Sequence, residues 1–216
     1  MTRKLTTILA IMAGLILIGG AGILIGTRIG NNEAGPAPEA AETPAPATLC
    51  DPFHEPGKIQ ELTTPPKAEW VSISGTKIPK SQHGPLAIDD GIPVCFTPDA
   101  QGAVTAAYTY YAMTDVDVPR DATRKALDYY IPANDESRQT TIQESASDTS
   151  RNIEFVGFRL EPSAAGTVYV DVQLRSRDTG EVAEIPNMLS WQEGTWKVSE
   201  YVDHDTSSEW VEWGQR

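Results

Sequence analysis

Histidine, aspartate, tyrosine and cysteine are the residues here with chemistry to offer, and they are sparsely placed. The three histidines, His54, His83 and His204, lie far apart. His204 stands between Asp203 and Asp205, which invites metal ligation or acid–base work. A solvated loop in an acidic C-terminal stretch is the favoured reading. Cys50 and His54 could supply two zinc ligands, but a structural zinc site takes four and no second pair stands at suitable spacing. Tyr108, Tyr110, Tyr111, Asp128, Tyr129 and Asp171 are the types with which a pocket carboxylate and a tyrosine work on a steroid-like or polyketide substrate. Tyrosines at helical spacing read first as packing, however, and Asp171 lies opposite an apolar stripe, toward solvent. No phosphate loop, His-Glu-x-x-His or Gly-x-Ser-x-Gly is present. The residues therefore point to no enzyme, no metal and no cofactor.

Cys50 and Cys95 are the only cysteines. An even count on the exported side of a membrane reads as a disulfide. It would close a loop of about 46 residues and contribute roughly 4 kcal/mol in the chain-entropy model. Cys95 would then staple the irregular N-terminal part of the domain to the foot of its first helix. Two buried free thiols are the alternative.

That side is set by the N-terminus. Leu5–Ile25 is about 21 residues without a charge. As a helix it would run about 31 Å, close to the thickness of the hydrocarbon layer. Arg3 and Lys4 precede it, and Glu33, Glu39 and Glu42 follow Arg28. The bias favours a cytoplasmic N-terminus and an exported body. A cleaved signal peptide has a shorter apolar stretch and a small-x-small site close behind it. The anchor reading is preferred, with membrane lipid as the first partner. Gly22 and Gly26 could let two such helices touch, although glycine is common in membrane helices.

The chain has 216 residues, 40% apolar and 22% charged, with a net charge of −13. Three of its 17 basic residues fall within the first 28, so the remainder carries 14 basic against 30 acidic residues. Such a surface repels phosphate backbones, and nucleic acid is excluded as a partner. Three segments follow: 1–28, a cytoplasmic stub and transmembrane anchor; 29–48, a Pro/Ala/Glu-rich linker with nothing to bury; and 49–216, a folded domain with an acidic tail.

Within the domain the elements that must position any site are legible. Residues 56–90 are rich in Pro and Gly, with a strand at Trp70–Ser74 and ordered loop over Lys77–Pro85. Ile92–Phe96 reads as a short strand. Thr97 as N-cap, Pro98 and Asp99 open a helix whose apolar face is Val104, Tyr108 and Tyr111. A second helix ends at Ile131, before Pro132. Asn134–Ser150 is either helix or loop. The period then changes to two: strands over Ile153–Leu160 with Gly157 a candidate bulge, Thr167–Arg175, Val182–Trp191 interrupted at Pro186, and Trp196–Val202. Helices followed by an antiparallel meander are an α+β layout. Wrapping a curved sheet around the helices as a cone, the NTF2-like shape, buries both apolar faces. Trp210 and Trp213 near the terminus either dock back onto the domain, the favoured reading, or bind a partner.

Several pieces together carry a resemblance. They are the Cys50 and Cys95 pair, Trp70, Pro79–Pro85, the Cys95-Phe96-Thr97 entry, Gly102-Ala103 with Ala106-Ala107, and Trp191–Lys197. In this order they resemble single-pass extracytoplasmic NTF2-like proteins of conjugative elements in Gram-positive bacteria, especially actinobacteria. Such proteins look like relatives of the scaffold subunits of type IV secretion channels. The resemblance implies a non-enzymatic assembly component in the cell membrane that self-associates or joins other membrane proteins of a transfer complex. A binding module holding a small apolar ligand or a cell-wall component is the alternative.

Overall fold

The computed structural model describes Cys50 and residues 55–214, apart from 134, 136, 137, 148–151 and 201. All of these fall in the unit Pro44–Arg216. Leu5–Ile25, with Gly22 and Gly26, lies outside the described residues, as does His54. Among the described residues no helix is long and apolar enough to cross a membrane.

Two hairpins open the domain. Strands β1 (Glu69–Ile73) and β2 (Thr76–Lys80) pair antiparallel, as do β3 (Ala87–Asp89) and β4 (Ile92–Val94). Each turns on two residues of positive φ, Ser74-Gly75 and Asp90-Gly91, as tight primed turns require. A Cβ on Gly75 would also stand 2.6 Å from the Asp117 carbonyl oxygen. Three short helices follow: α1 (Ala100–Ala112), α2 (Arg120–Tyr130) and α3 (Arg138–Ser147).

The rest is a six-stranded antiparallel sheet of β5 (Ile153–Pro162), β6 (Thr167–Ser176), β7 (Val182–Ile185), β8 (Asn187–Gln192), β9 (Thr195–Glu200) and β10 (Val211–Glu212). Its order is β10-β5-β6-β8-β9, with β7 paired to β6 beside β8. The register shifts between Phe155 and Gly157, a bulge at the glycine. The inner face, with Phe158, Leu160, Val168, Val170, Val172, Leu189, Trp196 and Val198, is sealed against α1. Hairpin β1–β2 meets α1 as well, so Gly102 to Tyr111 are all buried. The hydroxyls of Thr105 and Thr109 are satisfied within the helix, each donating to the carbonyl four residues back at 2.7 Å.

The expected fold class, an N-terminal transmembrane helix followed by an NTF2-like α+β cone, is corrected. The described residues form mostly antiparallel sheet, one of six strands and two of two, with three short helices. The Pro/Gly-rich segment makes two hairpins, so Lys77–Lys80 is strand where loop was expected. The tail supplies a further strand, and α3 (Arg138–Ser147) falls within the stretch read as helix or loop. The helix cap also moves: Asp99, with extended backbone, accepts from the Gly102 N–H at 2.8 Å in the place expected for Thr97.

Candidate binding site

A disulfide joins Cys50 to Cys95. Around it the Tyr129 hydroxyl lies 3.3 Å from the Cys95 N–H, which donates to it, and donates in turn to Thr195 Oγ1 at 3.0 Å. Burial raises Tyr129 above the usual phenol range. The Lys197 ammonium sits 4.9 Å over the same ring and donates to the Tyr129 carbonyl at 2.5 Å. Desolvation lowers its pKa. These groups fasten β9 to α2 and to the foot of α1.

The residues considered for catalysis are dispersed. Tyr108 packs among Trp70, Phe155 and Trp213. Asp128 pairs with Arg138. Asp171 is not toward solvent, as its place opposite the valine stripe suggested, but 2% exposed. Arg159 Nε donates to its Oδ2 at 2.7 Å, and His204 Nε2 lies 3.4 Å from its Oδ1. The His204 side chain is largely covered too, stacked on Tyr169 with ring centres 4.1 Å apart. The chain beyond Val202 folds over the outer face of the sheet and covers this cluster. Trp210 lies over the Arg159 guanidinium at 4.6 Å. Trp213 is buried and joins the inner aromatic cluster with Phe155 and Phe158. Both tail tryptophans thus rest on the domain, and Trp210 is the more accessible.

One of those tyrosines does line a cavity. At the β7 end of the sheet a space of about 600 Å3 opens, walled by Ile153, Leu174, Val182, Ala183 and Ile185 and bounded by Tyr111, Ser176, Glu181 and Glu200. The Tyr111 hydroxyl donates to Asn187 Oδ1 at 2.7 Å. Asn187 Nδ2 donates to the carbonyls of Val170 and Ile185, at 3.0 and 2.9 Å. Burial above all, and next the Glu200 carboxylate, holds Tyr111 well above the usual phenol range. Glu200 was not singled out from the sequence. The signal was there: Trp196, Val198 and Glu200 alternate onto the inner face, so the row ends in an acid.

The cavity is thus mainly apolar, with a tyrosine and two carboxylates at its rim, in a disulfide-tied and mainly antiparallel β domain. The chain belongs to the family described as Domain of unknown function (DUF8175), whose model matches residues 31–212. No curated protein and no solved structure matches it.

Proposed function

We infer that the chain is a non-enzymatic, membrane-anchored assembly component of a conjugation or type IV secretion-like transfer machine, with its domain outside the cell membrane. The observation that carries this reading is the place of the cavity, at a sheet edge that no described strand occupies. A strand edge beside an apolar recess holds part of another molecule by shape and backbone pairing and needs no reacting group. The apolar run Leu5–Ile25, the stalk behind it and the resemblance to exported proteins of conjugative elements support the membrane and machine parts of the reading.

Crosslinking of the intact protein in its native membrane, followed by mass spectrometry, tests it. Crosslinks from the domain to a second copy or to other membrane proteins are expected. Recovery of the chain with no neighbour would overturn it. A small apolar ligand is the second reading, favoured by a volume that suits one. Native mass spectrometry of the purified chain would then show a bound small molecule that is lost on denaturation.

A further inference from the structure

Among the described residues, strand β7 is bonded along one edge only. Its register with β6 pairs Val172 with Ile185, Gln173 with Glu184, Leu174 with Ala183 and Arg175 with Val182. At the mouth of this hairpin the Ser176 N–H donates to the Glu181 carbonyl and the Gly180 N–H to the Ser176 carbonyl, both at 2.8 Å. Antiparallel alternation from that bonded pair directs the backbone groups of Ala183 and Ile185 to β6. It turns the N–H and C=O of Val182 and Glu184 outward. Among the described residues nothing takes them. The β8–β9 register ends at Asn187 and Glu200, and the next bond runs from the Val202 N–H to the Pro186 carbonyl at 3.2 Å. The chain then leaves for the outer face, where His204 meets Tyr169. Val182 is 48% exposed. Open edges of this kind are normally shortened, charged or covered, because they invite another strand.

Charge decides what could occupy the edge. Glu181 and Glu200 bound the cavity and Glu184 lies on β7 itself. Arg175, across from Val182, is already held by Glu154 at 3.3 Å. A second copy pairing β7 with β7 would set these glutamates against one another. The chain's own stalk, residues 31–48, carries Glu33, Glu39 and Glu42 and no Lys or Arg, so it too is repelled. A segment with positive charge is complementary.

We propose that the β7 edge and the adjoining cavity form a strand-addition site for an extended segment of a partner protein, one carrying an apolar residue flanked by lysine or arginine. Its backbone pairs with Val182 and Glu184. Its apolar side chain enters between Ile153, Leu174 and Ile185, and its cation meets Glu181 or Glu200. This rests on the assembly reading above and names the chemistry of the partner.

The test uses the full chain in lipid nanodiscs and a capped pentapeptide with leucine between two valines and lysine at both ends. Exchange of the Val182 and Glu184 amides should slow at least tenfold at saturation, and glutamate in place of both lysines should weaken binding at least tenfold. Val182→Pro removes an outward N–H without touching the β6 ladder and should abolish binding. Glu181→Lys, the milder variant, reverses a charge at the cavity rim and should weaken it at least tenfold. Absence of binding, protection elsewhere, or binding unchanged in Glu181→Lys would overturn the proposal. A photo-crosslinker at position 184 in native membranes separates this idea from the reading beneath it. Crosslinks to a cationic extended segment of another protein support both. Crosslinks from other positions but none from 184, or from 184 only to a second copy, overturn the strand-addition site and leave assembly standing. No protein neighbour at any position overturns both.

Discussion

Asn187, the first residue of β8, is fully buried, and its amide is shared among three partners: the Tyr111 hydroxyl and the carbonyls of Val170 and Ile185. A buried polar group stranded by removal of its partner costs about 1–3 kcal/mol. Asn187→Ala strands three groups at once and should cost about 3 kcal/mol or more, read as a lower urea midpoint at unchanged slope. Asn187→Asp keeps the acceptor for Tyr111 but faces two carbonyls with a carboxylate, and should be no better. The buried phenols make a second prediction. Burial raises Tyr111 and Tyr130 well above the ordinary value near 10. Above that value the unfolded chain releases protons that the folded chain retains, so stability present below about pH 10 is lost as pH rises. A urea midpoint that falls above pH 10, with the tyrosinate absorbance of two of the seven tyrosines appearing only as the chain unfolds, is expected. Two extra tyrosines ionising in the folded state would contradict it.

At the scale of elements, α1 is governed by how closely its first turn approaches the preceding chain. A Cβ on Gly102 would lie 2.0 Å from the Thr97 carbonyl oxygen. In an exposed helix glycine to alanine gains up to about 1 kcal/mol. Gly102→Ala should do the opposite and cost about 2 kcal/mol or more, because backbone lies in the way and must move. A thermal melt at or above wild type would show that the Thr97 turn gives freely. The same turn shows what the sequence could and could not convey. Thr97, Pro98 and Asp99 together announce a helix start with Thr97 as its cap, but tertiary contacts decide which side chain is free to cap. Thr97 is drawn into bonding with His83, whose Nδ1 also lies 2.9 Å from Asp99 Oδ2, and Asp99 is left to cap. The valine alternation of β6 showed its inner face plainly, because period two survives any surroundings. It could not show that the opposite face would be covered by the tail, since that depends on residues some 30 positions away. Asp171 was read as solvent-facing for this reason. Glu200 was missed because one acid at the end of a buried row looks like a strand end until β7 is seen beside it. The overall class was misjudged for a related reason. Ser74-Gly75 and Asp90-Gly91 are strong hairpin dipeptides, but the prolines around them read as loop.

For the whole molecule, stability depends on two long-range ties. The disulfide spans a sequence separation of 45. Replacing both cysteines with serine should cost about 4 kcal/mol in the chain-entropy model. For a chain of this size that lowers the melting temperature by about 8–16 °C. The tail is the second tie. Val211 and Glu212 pair with Phe158 and Gly157, the Trp213 N–H donates to the Val156 carbonyl at 3.1 Å, and the Trp213 ring fills a pocket among Trp70, Tyr108 and Phe155. Ahead of it, Ser208 donates to Glu161 Oε2 at 2.7 Å and holds that carboxyl below its usual range. Truncation after Ser208 therefore removes a core side chain along with a strand. Trp213→Ala alone should cost about 3–5 kcal/mol. Trp210→Ala loses a partly exposed contact with Arg159 and should cost about 0.5–1 kcal/mol. The two single variants thus separate anchoring from recognition. If Trp210→Ala leaves the melt nearly unchanged but reduces membrane crosslinks, Trp210 serves a partner while Trp213 holds the fold. If truncation after Ser208 leaves the melting temperature unaltered, the sixth strand contributes nothing, and the aromatic cluster is not the closure of the core described above.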